Sequence, residues 1–124
     1  MNTNQIKIMI VEDEVLVGMM LARKLRSYGY DVGEVATTGE EALQRAGDEH
    51  PQVILMDVTL AGEINGIEAA GRIKKAHNIP IIIFSGYDST LISKQTEDIE
   101  PVAILSKMGP IADIASAIEK AING

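Results

Sequence analysis

The sequence predicts an α/β fold, a doubly wound parallel sheet of five strands with five helices packed on its two faces. Two observations support this prediction. Apolar runs rich in β-branched residues alternate with segments of helical period along all 124 residues, and three of the runs are almost continuously apolar. Such runs are typical of strands covered on both faces. Because parallel neighbours need crossover connections, the alternation places helices on both sides of the sheet.

Five apolar runs are predicted to form the strands. They are Ile6–Val11, Val32–Ala36, Val53–Asp57, Ile79–Ser85 and Val102–Ser106. The first, third and fourth are the nearly continuous ones. No linker, repeat or second composition interrupts the series, so we expect a single domain over residues 1–124.

Apolar residues at helical spacing predict the first two helices. In the first, they step by four, four and three and then meet a glycine that should end the helix, at Val17, Leu21, Leu25, Tyr28 and Gly29. Thr38 lies three residues before Glu41, which predicts a capping box at the start of a helix that runs through Ala46.

The remaining helices are predicted with different strength of signal. The third is marked by Ile67, Ala70 and Ile73, and the last by Pro110 in its first turn followed by Ile111, Ile114, Ile118 and Ile122. The segment Asp88–Thr96 is polar and weakly periodic, and it predicts only a weak fourth helix. Three methionines, Met19, Met20 and Met56, are interpreted as core residues.

Composition excludes several classes of function. The chain has no cysteine, which excludes a disulfide scaffold, a thiolate metal site and a cysteine nucleophile. Its net charge of −7 and the lack of a basic stripe argue against direct nucleic-acid binding. The first apolar run is too short for a signal sequence or a membrane span and contains Lys7, so we expect a cytoplasmic protein without membrane insertion.

Polar residues stand where the predicted strands end. Glu12 and Asp13 follow the first strand, and Asp57 ends the third. Ser85 ends the fourth strand, and Lys107 directly follows the fifth. The carboxyl ends of parallel strands form the usual ligand crevice of such a sheet. If the first and third strands are neighbours, three carboxylates converge there.

This set of residues indicates metal-assisted phosphoryl chemistry. Carboxylates about 4 Å apart repel by roughly 1 kcal/mol in water and about 4 kcal/mol near a protein surface, and a divalent cation would offset that repulsion. Because the ligands are all oxygens, Mg²⁺ is the expected ion. A spare oxygen of Asp57 could then attack a phosphoryl group and form an aspartyl phosphate. Lys107 would supply a point charge and Ser85 one hydrogen bond.

Four short motifs resemble the receiver domain of two-component response regulators. They are VEDE at 11–14, LMDV at 55–58, FSG at 84–86 and SK at 106–107. The resemblance covers essentially the whole chain. The separations are 44 residues from Asp13 to Asp57, 28 from Asp57 to Ser85 and 22 from Ser85 to Lys107. It implies a flavodoxin-like sheet with strand order 2-1-3-4-5. It also implies that Asp57 accepts a phosphoryl group from a histidine kinase or a histidine phosphotransfer protein.

The resemblance further implies a ligand set and an output. Glu12, Asp13, Asp57 and the main-chain carbonyl of Thr59 would hold Mg²⁺ or another divalent cation. Phosphorylation would alter a surface made of the weak fourth helix, the fifth strand and the last helix. That surface would bind a downstream protein target, or a second copy of the chain in a phosphorylation-dependent homodimer.

Three departures from the family pattern affect these expectations. Met108 replaces the proline that usually follows the lysine, so we expect a trans peptide bond there. Ile104 stands where many receivers carry a switching tyrosine or phenylalanine, which leaves the coupled switch open, although Ser85 could still move. The loop after the third strand contains Gly62 and Gly66, which indicate a reshaped loop near the metal.

Two residues after Ser85 are expected to control access to the acceptor. Gly86 is small enough to admit a phosphodonor. Tyr87 could shield the acyl phosphate from water, or it could be an ordinary loop tyrosine.

Other classes of function remain as alternatives. A phosphohydrolase resembling the haloacid dehalogenase group needs a second aspartate two residues after its nucleophile, where this chain has Thr59. A flavodoxin-like FMN carrier needs a phosphate loop of small residues, where this chain has Glu12, Asp13 and Glu14. The chain could also be a module of a longer regulator or hybrid kinase, or a docking module that is not phosphorylated. We expect no enzymatic activity beyond its own phosphorylation and dephosphorylation.

Overall fold

Five parallel strands form one sheet in the order β2-β1-β3-β4-β5 in a computed structural model of the chain. The structure describes residues 6–58, 64–86, 93–107 and 109–123. The strands are β1 (Lys7–Val11), β2 (Asp31–Val32), β3 (Val53–Asp57), β4 (Ile81–Ser85) and β5 (Ala103–Ser106). The predicted fold class and strand order are therefore confirmed.

Helices follow the strands in strict alternation. They are α1 (Val15–Ser27), α2 (Gly39–Glu49), α3 (Gly66–His77), α4, which is described over residues 93–95, and α5 (Ile111–Asn123). A short 3-10 helix, Glu97–Ile99, lies between α4 and β5. The weak helix predicted over Asp88–Thr96 is helical at 93–95, and its first five residues lie outside the described part of the chain. No described helix combines the length and the apolar character needed to cross a membrane.

The sheet separates two apolar layers. Alternate residues of the central strands, such as Met9, Ile54 and Ile83, pack in the layer that contains the buried residues of α2 and α3. Their neighbours, such as Ile10 and Leu55, pack in the layer that contains those of α1 and α5. Both faces of the central strands are buried, which explains why their sequences are continuously apolar.

The predicted helix ends are largely confirmed. Gly29 has a φ of 96°, and its N–H donates to the carbonyl of Arg26 while that of Tyr30 donates to Leu25, as in a Schellman motif. At the start of α2 the side chain of Thr38 accepts from the N–H of Glu41 at 3.1 Å. The return bond differs from the expected capping box, because Glu41 accepts from the N–H of Thr37.

The second strand is shorter than predicted. Instead of extending over Val32–Ala36, it ends at Val32, and Ala36 returns to the sheet only as an isolated bridge to Val11. Gly33 has no side chain with which to pack against a neighbour, so it favours an early end. The Arg26 side chain then donates to the carbonyls of Val32 and Gly33, at 2.9 and 3.1 Å.

Helix boundaries and the inward face of α1 also differ from prediction. Helix α2 continues past Ala46 to Glu49, and Pro110 precedes the first residue of α5 instead of lying in its first turn. Tyr28 lies beyond the end of α1 and is exposed.

The interpretation of two methionines as core residues is wrong. Gly18, Ala22 and Leu25 form the buried face of α1, where small residues allow a close approach to the sheet. Met19 and Met20 consequently point to solvent, each with 59% of its surface exposed.

Candidate functional site

Two acidic side chains lie side by side at the carboxyl ends of the central strands. Val11 is paired with Met56 across β1 and β3, so the residues that follow, Glu12 and Asp57, are neighbours. The N–H of Glu12 donates to the carbonyl of Ala36 at 2.8 Å, which holds its backbone beside the sheet. Glu12 is fully buried and Asp57 is only 1% exposed.

Asp13 completes an acidic cluster with these two residues. One carboxylate oxygen from each of Glu12, Asp13 and Asp57 can be chosen so that all three lie within 4.8 Å of one another. Apart from an ion pair with a lysine, Oε1 of Glu12 is buried without a hydrogen-bond partner. Three carboxylate oxygens this close together form an all-oxygen donor set, which fits a hard divalent cation such as Mg²⁺.

Lys107 enters the same crevice from the end of β5. Its Nζ lies 3.0 Å from Oδ2 of Asp57 and 2.9 Å from Oε1 of Glu12. The ammonium also lies 5.8 Å from the centroid of the Phe84 ring, within the range of a cation–π contact. The backbone N–H of Lys107 donates to the carbonyl of Ser85 at 3.0 Å, which ties the lysine to the end of β4.

The charges in the crevice are not balanced. Burial raises the pKa of Glu12 to about 7; a hydrogen bond from the N–H of Glu14 and the contact with Lys107 oppose this rise, and Asp57 adds to it. Burial disfavours the charge on Lys107, but the carboxylates of Glu12 and Asp57 outweigh that effect, and the pKa of Lys107 lies above its usual value. Acidic groups outnumber the single ammonium, so the site favours an added cation.

The other predicted site residues fall into two groups. Ser85 ends β4, is buried, and is paired in register with Ser106. Gly86 is exposed, and Ile104 is half-buried against the apolar layer of α2 and α3. Thr59 and Tyr87, together with Gly62 and Met108, lie outside the described residues.

Two contacts at the site were not predicted from the sequence. The N–H of Glu14 donates to Oε2 of Glu12 at 3.0 Å and orients that carboxylate. Helix α3 begins beside the end of β3, where the N–H of Gly66 donates to the carbonyl of Val58 at 3.2 Å. The sequence signal for the second contact is the glycine itself, which taken alone indicates only a reshaped loop.

An apolar surface lies next to the crevice. Four large side chains in the first half of α1 are exposed by more than half: Val15, Leu16, Met19 and Met20. A cavity of about 210 Å³ separates this helix from the start of α5. Its lining includes Met20, Lys24, Phe84, Ser106, Lys107 and Ile111, so it connects the apolar surface to the lysine of the site.

A sheet of this order, with carboxylates and a lysine at its strand ends, is the arrangement that the resemblance to receiver domains implies. The model of the response regulator receiver domain family matches residues 8–119. The chain therefore belongs to this family and is a receiver domain of two-component signal transduction.

Curated relatives support the assignment. The chain is 32% identical over 117 residues to the transcriptional regulatory protein PdtaR of Mycobacterium tuberculosis, which covers 94% of this chain and 57% of that protein. It is 29% identical to the phyllosphere-induced regulator PhyR of Methylorubrum extorquens, covering 94% of this chain and 43% of the regulator. The chain thus spans about half the length of the curated relatives it matches.

Solved structures show the same fold. The signal receiver domain of a modulated diguanylate cyclase from Desulfovibrio desulfuricans is 34% identical, with a TM-score of 0.87 and coverage of 94% of this chain and 92% of that one. The N-terminal domain of a response regulator/sensory box/GGDEF three-domain protein from Carboxydothermus hydrogenoformans is 26% identical, with a TM-score of 0.85 and coverage of 94% of both chains.

Proposed function

We propose that Asp57 accepts a phosphoryl group from a histidine kinase or a histidine phosphotransfer protein, and that this modification switches a protein-interaction surface. One observation carries the proposal. The carboxylate of Asp57 lies in a crevice with two further carboxylates, and its Oδ2 is 3.0 Å from the ammonium of Lys107. Phosphoryl transfer requires mainly alignment and charge compensation, and a lysine ammonium at this distance from the carboxylate supports an acceptor role for Asp57.

Glu12, Asp13, Asp57 and the main-chain carbonyl of Thr59 would hold Mg²⁺ or another divalent cation. When bound, such an ion neutralises charge on the phosphoryl oxygens and offsets the repulsion among the carboxylates. The three carboxylate oxygens that lie within 4.8 Å of one another support this assignment. The N–H of Glu14 fixes Oε2 of Glu12, so that carboxylate is already oriented before any ligand binds.

The residues of the chain have separate tasks in the transfer. A carboxylate oxygen of Asp57 attacks phosphorus, and the bond from phosphorus to the donor imidazole nitrogen breaks as that nitrogen takes the electron pair. Lys107 then contacts the phosphoryl oxygens instead of the free carboxylate, and the hydroxyl of Ser85 donates a hydrogen bond to them. The chain would catalyse only its own phosphorylation and the later hydrolysis of the acyl phosphate.

The apolar surface of α1 is the proposed docking site of the phosphodonor protein. It lies directly after the acidic residues in the chain, and the cavity beside it reaches Lys107. A donor helix seated there would cover Leu16, which is 75% exposed, and bring its phosphohistidine to Asp57. Gly86 would leave the approach open, because a Cβ placed there would meet no atom within 4 Å among the described residues beyond its chain neighbours. Tyr87 would shield the acyl phosphate from water.

The output surface would be formed by α4, β5 and α5. Ile104 borders a cavity of about 300 Å³ with Thr96 and Pro101, between the 3-10 helix and β5. If Ser85 moves toward the phosphoryl group, Ile104 would have to transmit that change to this cavity in place of an aromatic side chain. The partner there would be a downstream protein or a second phosphorylated copy of the chain.

The domain and its setting complete the proposal. Residues 1–124 would form a single receiver domain in the cytoplasm. The domain would act alone or as the receiver module of a longer regulator or hybrid kinase.

Intact mass measurement after incubation with acetyl phosphate tests the proposal. We expect one phosphoryl adduct that requires both Mg²⁺ and Asp57 and is therefore lost in Asp57→Asn. The matched control is Asp48→Asn, which removes an exposed carboxylate from α2 and should leave the adduct unchanged. A wild-type chain that binds Mg²⁺ yet forms no adduct would contradict the proposal and favour a docking module that is not phosphorylated.

A further inference from the structure

The first residue of α3 lies against the backbone of the acceptor residue. A Cβ built on Gly66 would lie 1.8 Å from the carbonyl oxygen of Asp57, and 2.8 Å from both the carbonyl carbon of Asp57 and Cα of Val58. Real Cβ atoms essentially never approach other atoms within 3.0 Å. Any side chain at position 66 must therefore displace backbone by more than an ångström.

No rotation of a side chain can relieve this contact, because the three atoms nearest to the added Cβ all belong to the backbone. The Asp57–Val58 backbone is also held from the other side, where Asp57 is paired with Phe84 and the N–H of Val58 donates to the carbonyl of Phe84 at 3.4 Å. The acceptor backbone is thus enclosed between β4 and the first turn of α3.

Helix α3 cannot easily move away to make room. The side chain of Asn65 accepts from the N–H of Glu68 at 2.8 Å, and this cap opposes unwinding of the first turn. The inward face of α3 buries Ala69, Ala70 and Ile73 in the apolar layer. A side chain at position 66 would therefore be accommodated at least partly by a shift of the Asp57 backbone.

We propose that Gly66 is a positioning residue for phosphoryl acceptance. Because it has no side chain, α3 can pack on the Asp57–Val58 backbone and set the place of the carboxylate relative to Lys107 and the other acidic groups. The inference rests on the proposed function of Asp57. A displacement of about 1 Å in a reacting group can lower a rate about 100-fold. The same displacement would separate the carboxylates that now lie within 4.8 Å of one another and weaken cation binding.

The same helix offers two controls. In the part of the chain that the structure describes, a Cβ on Gly71 would meet no atom within 4 Å outside its own helix backbone, so Gly71→Ala adds a methyl group to α3 without a clash and favours the helix. Ile73 is fully buried about two turns further along the helix, so Ile73→Ala destabilises α3 through a cavity without adding any atom near Gly66. Together they separate a loss of stability from a loss of position.

The experiment compares Gly66→Ala, Gly71→Ala and Ile73→Ala in three measurements. These are the rate of phosphorylation by acetyl phosphate at saturating Mg²⁺, the affinity for Mg²⁺ by calorimetry, and the midpoint of urea unfolding. We expect Gly66→Ala to phosphorylate about 100-fold more slowly than the wild type and to bind Mg²⁺ more weakly. Gly71→Ala and Ile73→Ala should keep wild-type rates and affinities, although Ile73→Ala unfolds at lower urea.

Each outcome decides the inference. If Gly66→Ala matches Ile73→Ala in rate and in Mg²⁺ affinity, Gly66 has only a structural role and the inference is wrong. If Gly66→Ala does not fold, the same substitution is made in the stabilised Gly71→Ala background and compared with Gly71→Ala alone. If the wild type itself forms no adduct, the proposed function fails, and the Mg²⁺ affinities still show whether Gly66 positions the carboxylates.

Discussion

Two clusters of the molecule each place one basic side chain between two acidic ones, yet they differ in burial and in the pKa shifts of their acidic groups. The crevice cluster contains Glu12, Asp57 and Lys107, and the α2 cluster contains Glu41, Arg45 and Glu49. The ion-pair distances are comparable, 2.9 and 3.0 Å in the first and 3.2 and 2.6 Å in the second. The acidic side chains of the crevice cluster are buried, whereas those of the α2 cluster are 40% and 32% exposed.

The pKa values of the acidic groups in the two clusters are accordingly shifted in opposite directions. Burial raises the pKa of Glu12 to about 7 despite the contact with Lys107. A hydrogen bond from the N–H of Thr37, aided by Arg45, lowers the pKa of Glu41 below its usual value. Equal numbers of charges therefore do not mean equal stabilisation. The α2 cluster links a helix to a loop. The crevice cluster instead holds buried negative charge that its lysine does not fully neutralise.

Removal of the basic residue should separate the two clusters most strongly. Lys107→Met leaves two buried carboxylates without a cation, and we expect it to lower the free energy of unfolding by about 3 kcal/mol. Arg45→Met leaves carboxylates that water can reach, and its loss should be about 1 kcal/mol. Urea unfolding at pH 8 without divalent cations measures both values. Similar losses would show that burial does not distinguish the clusters.

The dependence of stability on pH should identify Glu12. Its pKa rises from 4.5 in the ordinary carboxyl group to about 7, so between these values the folded chain holds a proton that the unfolded chain has lost. Its contribution to stability is therefore full below pH 4.5 and is lost as the pH rises through about 7. Glu41 and Glu49 act with the opposite sign, since their lowered pKa values give stability that is lost only in acid.

Urea unfolding at pH 5.5 and pH 8, without divalent cations, tests this second prediction. We expect the wild type to lose more stability over this interval than Glu12→Gln, in which position 12 no longer titrates. Equal pH dependence of the two proteins would mean that Glu12 is ionised throughout the interval.

A smaller change in the free energy of unfolding should follow when one acidic side chain is neutralised, either Asp13 beside the crevice cluster or Glu41 in the α2 cluster. Asp13→Asn removes a carboxylate that can approach the other two to within 4.8 Å, and we expect a gain of about 1 kcal/mol in the absence of divalent cations. Saturating Mg²⁺ should cancel the gain, because the variant loses a ligand. Glu41→Gln should instead lower stability at either Mg²⁺ concentration. A loss of stability in metal-free Asp13→Asn would contradict the idea of net repulsion in the crevice.

Much of the crevice could be predicted from the sequence because the sequence pattern indicates where each buried strand ends. A buried apolar run that stops at a charged residue places that residue at the edge of a parallel sheet, and Glu12, Asp57 and Lys107 meet there as the topology requires. The strand order came from the resemblance to receivers. Periodicity alone does not choose which strands are neighbours.

Other features depend on packing that no local pattern encodes. The rotation of α1 follows from the small side chains of Gly18 and Ala22, so the exposure of Met19 and Met20 could not be inferred from their hydrophobicity. The contact of Gly66 with Asp57 joins two elements through backbone atoms, and the sequence records it only as a missing side chain.

The two-residue strand β2 has a consequence for the behaviour of the protein in concentrated solution. An open sheet edge carries peptide groups that can pair with another molecule and begin aggregation. Here the edge strand is very short, and its outward carbonyl at Val32 already accepts from Arg26, as does that of Gly33. Arg45 occupies the carbonyl of Glu34 in the same way. Two arginine side chains thus protect this border of the sheet against intermolecular strand pairing.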